Sequence, residues 1–487
     1  MRYGLFALLI SGCATQQAAV KAPELPLQIR VTLSSTVTPE PISGRLIVMM
    51  STVAPGRAVL DFDYGDPKKV WLAAMDVAGL APGSTIAFDA DRLAFPAPFS
   101  RAPRGSHHFM ALLDRDGSYI SGGTGAQDLV GRVIERPTGP VELVLDRVIP
   151  ESSRALPPNA QIVEIPSPLL SAFRGRETTQ RVVVILPPGT GPWPTVYAIP
   201  GFGGALDRAG RYASLAARGV LPAMAYVVLL PQLRVGHHAL VDSVNNGPYG
   251  RAFVEEMIPA LEARFPLIAA PRARFLTGHS SGGWASLWTM IQHPDLFAGT
   301  WSTAPDPVDF RSFTGVDVTP GSKENVYRDA KGQPRNLFRM NGAPLLGLEE
   351  FARLEDAMGE YGGALSTFDW AFSPRGPTGR PQWLWDRATG VVDPAVAEAW
   401  TRFDIRRVLA ERWGELGPKL RGKLFIQVGA EDSFHLEEGV GHLCAFLAEK
   451  QSDAACTIVP GKDHFNLRDE ALEREIGQQM KAKFDRK

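Results

Sequence analysis

Three groups along this chain have the residue types and the order of a nucleophile, an acid and a base. Phe275-Leu276-Thr277 is a short apolar run that leads directly into Gly278-His279-Ser280-Ser281-Gly282, a Gly-x-Ser-x-Gly pattern followed by Gly283. Glycines on either side let the backbone turn sharply from strand to helix, which leaves the middle serine standing at the carboxyl end of a sheet. Ser280 is therefore the candidate nucleophile. So short a pattern also arises by chance as a plain Gly/Ser turn, so what flanks it must decide.

After the serine, Trp284-Ala285-Ser286-Leu287-Trp288-Thr289-Met290 supplies an apolar helical face that ends at His293-Pro294. Ser281 then opens that helix, and its N–H, aided by the positive helix end, is one candidate oxyanion donor. A second donor is expected from the glycine-rich turn Ile199-Pro200-Gly201-Phe202-Gly203-Gly204, with the Phe202 N–H first and Gly203 next. The acid is sought after the apolar run Leu424–Val428, where Glu431 and Asp432 are adjacent; Asp432 is the first choice and Glu431 stays open. The base is sought after Thr457–Val459, where His464 stands. Of the other histidines, His107 and His108 fall in an earlier region, His293 closes a helix, His442 lies in a later helix, and His435 is a fallback. His237 and His238 follow the fourth strand of the second region and could line a pocket. The expected substrate contacts are Gly203, His237, His279 and Trp383. The chain order Ser…Asp…His at three strand ends is that of a Ser-His-Asp triad on a strand-and-helix scaffold.

The elements that must hold these residues can be read from rhythm. From about residue 25 to 150 the chain has short apolar or alternating runs between Pro/Gly turns: Leu27–Leu33, Gly44–Met50, Val59–Asp63, Thr85–Phe88, His107–Asp114 and Val141–Leu145. This predicts an antiparallel β-sandwich of Ig-like or carbohydrate-binding type. Within it, His107, His108, Trp71, Phe88, Phe95 and Phe99 could line a ligand face, though aromatic residues in sandwiches more often pack the core. Asp114-Arg115-Asp116-Gly117 reads as a tight hairpin turn without the later acidic ligands of a calcium loop. Residues 151–160 form a linker. Beyond it, Val163–Ile165, Gln180–Leu186, Thr195–Ile199, Ala225–Leu230, Arg274–Thr277, Thr300–Thr303, Leu424–Val428 and Thr457–Val459 read as strands, with helical stretches such as Gly250–Arg264 between most of them. Runs such as Val182-Val183-Val184-Ile185 are apolar on both faces, as strands in a helix-covered sheet must be. The serine turn after the fifth of eight strands matches the α/β-hydrolase layout over residues 161–487. Residues 304–421 form a lid-like insert with aromatic residues Tyr361, Phe368, Trp370, Phe372, Trp383 and Trp385.

The 487 residues are 45% hydrophobic and 21% charged, with 51 basic and 52 acidic side chains giving a formal net charge of −1. Such a balance argues against nucleic acid as a partner. At the amino end, one positive charge precedes a short apolar run and then Ile10-Ser11-Gly12-Cys13. This reads as an export signal over residues 1–12 and resembles a bacterial lipobox, with Cys13 as the lipidated residue and 13–24 as a tether. The expected location is the bacterial cell envelope, through a lipid anchor on the outer membrane or periplasmic face. Cys444 and Cys456 then remain, either as a disulfide or as two buried thiols, and neither has metal-site neighbours.

Asn245-Asn246-Gly247-Pro248-Tyr249-Gly250, Phe253 to Pro259, Leu276 to Leu287 and His293-Pro294-Asp295-Leu296-Phe297 resemble the esterase family that includes esterase D, feruloyl esterases, enterochelin esterases and the mycolyltransferases. The resemblance covers about residues 160–305 and 420–475. Pro200 departs from it, standing where relatives often carry His or Asp. It implies a serine hydrolase of carboxylic esters, on a small or glycan-linked substrate, with no cofactor or metal. The alternatives are an acyltransferase or a serine peptidase with the same triad, or a non-catalytic binding lipoprotein.

Overall fold

The computed structural model describes residues 28–486 apart from 54–59, 61, 63–65, 104, 137–138, 151–155, 157 and 360–362. The signal segment, Cys13, the tether, Tyr361, most of the run at 59–63 and most of the linker lie outside the described residues.

Among the described residues, the N-terminal region contains nine strands: β1 Ile29–Leu33, β2 Ile42–Ser51, β3 Val70–Leu80, β4 Thr85–Phe88, β5 Ala94–Phe95, β6 His107–Asp114, β7 Leu129–Gly131, β8 Ile134–Arg136 and β9 Val141–Val148. They form one hydrogen-bonded sheet in the order β4-β1-β9-β7-β6-β2-β3-β5, with β8 also pairing to β6. This differs from the two antiparallel sheets expected, because β1 and β9 pair in parallel and link the two halves. The sheet curls on itself, so that Val31 of β1, Val48 of β2, Leu113 of β6 and Leu143 of β9 share one core. The longest strand, β3, was not expected; its Ala, Asp and Gly residues weaken the strand pattern. Phe88, Phe95 and Phe99 are buried, and Trp71 packs edge-on against Phe99 at 6.2 Å, so these aromatics form core and not a ligand face.

Side chains of β2 alternate between two cores. Leu46, Val48 and Met50 fill the region's own interior, whereas Ile47 and Met49 join the core of the C-terminal strand-and-helix region. Burial on both faces means the region is docked, not tethered. The contact is to a helix of the insert: the Arg45 guanidinium donates to the Asp356 carbonyl at 2.5 Å, and Lys68 pairs with Glu350 at 2.7 Å. After β6 the Asp-Arg-Asp-Gly segment does not make a tight hairpin turn; it enters a short helix, α1 Tyr119–Gly122, before the chain returns as β7, antiparallel to β6. Asp128 comes back beside Asp114 and Asp116, their ligand atoms lying within 4.8 Å of one another. That neighbour is distant in sequence and was not foreseen. Asp114 accepts from the Gly117 and Tyr119 amides, and Asp128 from those of Arg115 and Gly125, so both carboxylates shape the loop.

The C-terminal sheet has eight strands among the described residues: β10 Ala160–Pro166, β11 Thr179–Ile185, β12 Thr195–Ile199, β13 Ala225–Leu229, β14 Arg274–His279, β15 Gly299–Thr303, then β18 Leu424–Gly429 and β19 Ala455–Val459 after a hairpin in the insert, β16 Asn336–Met340 and β17 Ala343–Gly347. Their order is β10-β11-β13-β12-β14-β15-β18-β19. The pairs β10–β11 and β11–β13 are antiparallel and the other five are parallel. All five residues of β12, β13 and β15 are buried, as helix-covered strands require. In register, Gly278 lies beside Ile199 on one side and Ser302 on the other. The loops leaving β12, β14 and β15 therefore emerge side by side, with those of β18 and β19 next along the same edge.

The insert adds α2 Leu348–Gly359, α3 Ser366–Phe372 and α4 Ile405–Leu420, along with shorter helical turns. Phe310, Phe313, Phe372, Trp400 and Phe403 form its aromatic centre, with Phe372 and Phe403 stacked at 4.8 Å. No helix among the described residues is long and apolar enough to cross a membrane.

Candidate active site

Ser280 sits on the turn between β14 and the helix Ser281–Gln292, at φ 58° and ψ −127°. A non-glycine residue held there is strained, and the surroundings enforce it. A Cβ on Gly278 would lie 1.9 Å from the Gly282 carbonyl oxygen, and one on Gly282 would lie 1.9 Å from that of Ile199. Both glycines of the motif are thus steric requirements. The Ser280 amide donates to the Thr303 carbonyl at 3.0 Å, which ties the turn to β15.

Asp432 leaves the end of β18 and His464 the loop after β19. His464 Nδ1 lies 2.8 Å from Asp432 Oδ2, and both residues are buried. An ionised carboxylate can only accept, so Nδ1 carries the proton and Nε2 is left as the basic nitrogen. Burial disfavours the imidazolium, but the neighbouring Asp432, the bond to it, and the charges of Asp306 and Asp463 outweigh burial and hold His464 above its ordinary value. The other Asp432 oxygen accepts from the Phe434 amide at 2.9 Å. Glu431 is exposed, and its amide bonds the Lys462 carbonyl. Arg339 of β16 donates to the Asp432 carbonyl at 2.8 Å and to Glu437 at 2.6 Å, so the insert clamps the acid's loop.

On the β12 side, a Cβ on Gly201 would come within 3.0 Å of both the His279 carbonyl oxygen and Ser280 Cβ. Glycine permits this close approach. The Gly203 amide is committed to Gln232 Oε1 at 3.2 Å, which removes it as a donor to substrate. Phe202 and Ser281 both line the cavity in front of Ser280.

A family model described as "Putative esterase" matches residues 175–465, more than half of the chain. The chain belongs to this esterase family. Similar solved structures include FphF, a fluorophosphonate-binding serine hydrolase of Staphylococcus aureus, at 15% identity and TM-score 0.39 over 67% of this chain and 98% of that one. They also include the ferulic acid esterase AmCE1/Fae1A from Anaeromyces mucronatus, at 15% identity and TM-score 0.36 over 69% and 93%. An S-formylglutathione hydrolase from Agrobacterium tumefaciens matches at 16% identity and TM-score 0.37 over 67% and 95%. No curated protein matches. The chain is a carboxylic ester hydrolase with the α/β-hydrolase fold.

The esterase's cavity measures about 790 Å³ and is mostly apolar, with Phe202, Phe338, Phe351, Phe368, Phe434 and Phe465 among its walls. His237, His279 and Trp383, expected at the substrate, are not among the described residues that line it. His237 is buried behind the β12 loop, with Nε2 3.0 Å from the Pro200 carbonyl oxygen; burial holds it neutral, its pKa pushed down to about 4. His279 packs against the His464 ring at 4.7 Å with Nδ1 on Thr303 Oγ1, and burial beside His464 holds it well below its usual range. Trp383 lies under the Arg387 guanidinium at 4.4 Å.

One residue at the site was missed in the sequence. Asp306, three residues past β15, is buried, and Ser280 Oγ donates to its Oδ1 at 3.3 Å. Burial pushes this carboxyl up to about 6, against the downward pull of the Ser281 and Ser280 hydroxyls and of His464. The signal in the sequence is an acid just beyond the strand next to the nucleophile strand, concealed because an insert beginning at residue 304 sets it apart from the strand ends.

Proposed function

We propose that this esterase is an exported serine hydrolase working through an acyl-enzyme on Ser280, with His464 as base and Asp432 as the residue that orients it. The observation behind this is the strained serine and the His464–Asp432 pair at the same edge of the parallel part of one sheet. For attack, Ser280 Oγ turns from Asp306 to His464 Nε2, which takes its proton as Oγ bonds the ester carbonyl carbon. The Phe202 and Ser281 amides stabilise the oxyanion by donating hydrogen bonds to it. The imidazolium, held by Asp432, then protonates the leaving alcohol as the C–O bond breaks. Water, deprotonated by the same histidine, releases the carboxylic acid and restores Ser280.

A fluorophosphonate probe tests this reading. Ser280 should be the labelled residue, and Ser280→Ala should lose both labelling and ester turnover; labelling elsewhere, or full turnover in the variant, refutes it. Export with a lipid on Cys13 belongs to the same proposal, and the Cys444–Cys456 disulfide supports an oxidising compartment. Acyl chains should be found by mass spectrometry on an amino-terminal Cys13, and Cys13→Ser should release the protein from membranes. An unmodified Cys13 in membrane fractions refutes the anchor.

A further inference from the structure

The N-terminal β region reaches the reaction centre. Phe62, Tyr119, Ile120, Ser121 and Gly123 belong to it, yet all line the cavity that holds Ser280 and His464. The segment is built for that place. Asp114 and Asp128 fix both ends of the loop through their backbone bonds, at 2.6–3.1 Å, and so set where α1 projects. Tyr119 and Ile120 are buried, and Ile120 packs against Gly359 at the end of α2. Most telling is the Ser121 carbonyl oxygen, which lies 2.1 Å from where a Cβ on Gly203 would be. Gly203 has φ +69°, so both space and conformation require glycine beside the oxyanion loop. On its other side the same glycine is held by Gln232.

The cavity also says what it can take. Apart from Ser280, Ser281, Ser121, Thr314, Asp306 and His464, its walls are aromatic and aliphatic, and no Lys or Arg is among the described lining residues. Its charged or titratable members near Ser280 are Asp306 and His464. A sugar needs hydrogen-bonding partners along its length, and an anionic acyl group would meet Asp306 without a compensating cation.

Resting on the serine-hydrolase reading above, we infer that the N-terminal β region is an integral wall of the substrate pocket, with Tyr119–Gly123 receiving a bulky, neutral, apolar group of the ester and Ser121 bracing the oxyanion loop. The region is thus a determinant of specificity and not an independent carbohydrate-binding module. The substrate class is a neutral ester with a medium-length aliphatic or aryl group.

The test uses full-length protein and para-nitrophenyl acetate, octanoate and hemisuccinate. Wild type should prefer octanoate to acetate and turn over the hemisuccinate least. Ile120→Trp, which fills the pocket, should lower kcat/KM for octanoate by about tenfold or more while changing acetate by less than about threefold, since one or two methylenes of misfit are worth that much. Ile120→Ala, which enlarges the pocket, should alter the octanoate-to-acetate ratio, with fluorophosphonate labelling of Ser280 retained as the report that the variant is folded. If the ratio is unchanged in both folded variants while labelling persists, the domain's role is refuted and the hydrolase reading stands. If wild-type Ser280 is not labelled, the hydrolase reading fails and this inference falls with it.

Discussion

Ser280 Oγ donates its hydrogen bond to Asp306 Oδ1 at 3.3 Å, and among the described residues its side chain has no such bond with His464. Two acceptors therefore compete for one hydroxyl. An ionised Asp306 holds the nucleophile away from its base, raises the pKa of His464, and opposes charge on the nearby oxyanion. Asp306→Asn keeps the shape and removes the charge. Because His464 must be neutral to act as base, and Asp306 favours its protonated form, the variant's acid limb in a kcat/KM profile should move to lower pH. A limb that stays put or moves upward contradicts this account.

The same substitution has a signed effect on stability. Asp306 is ionised above about pH 4 when unfolded but, pushed up to about 6 by burial, only at higher pH when folded. Between those values the folded state binds more protons, so stability falls as pH rises through the window and the penalty is complete above it. Asp306→Asn should therefore be more stable than wild type above pH 6, by up to roughly 3 kcal/mol from a shift of about two units, with the gap closing toward pH 4. Urea melts at several pH values measure it; a gap that does not change with pH would contradict it.

Asp432 and Glu431 differ in geometry as sharply as neighbours can. Asp432 is buried on His464 and Glu431 is exposed. Asp432→Asn should lower kcat by about three to four orders of magnitude by favouring the wrong imidazole tautomer, whereas Glu431→Gln should stay within about twofold, as exposed substitutions usually do. Single-turnover assays with a para-nitrophenyl ester decide between them.

Arg339 links the insert to the acid's loop through the Asp432 carbonyl and Glu437. Removing it leaves Glu437 half-buried without its cation and loosens the loop while leaving the cavity walls in place. Arg339→Ala should mainly reduce kcat, by about tenfold on the scale of a positioning loss, with KM little changed; Arg339→Lys should recover part of it. A change confined to KM would show instead that the hairpin acts on substrate binding.

Local chemistry was the legible part of this chain. The glycines around Ser280, the apolar strands, and the acid and histidine beyond β18 and β19 are properties of short segments, and the sheet register brings them together. What depended on contacts distant in sequence was not legible. His237 looked like a pocket residue because nothing nearby reveals that the Pro200 carbonyl lies on its ring. Ser121 carries no local sign that it will meet Gly203, and Asp128 none that it will return to Asp114. The β1–β9 parallel pair, which turns two expected sheets into one, likewise joins strands from opposite ends of the region.

The Cys444–Cys456 bridge joins the helix after the acid, Leu436–Glu449, to β19, which leads to the histidine. Sequence left it open between disulfide and thiols; the structure forms the bond, with Cα atoms 5.4 Å apart across a separation of 12 residues. A cross-link over so short a loop stabilises by about 2–3 kcal/mol, chiefly by restricting the unfolded chain. Its loss should act on stability before it acts on chemistry. The Cys444→Ser/Cys456→Ser double variant, or wild type after reduction, should unfold several degrees earlier while keeping near-normal kcat/KM well below its melting temperature. Calorimetry alongside ester assays checks both halves, and a fall in kcat/KM at low temperature with an unchanged melt would mean instead that the bridge sets the spacing of Asp432 and His464.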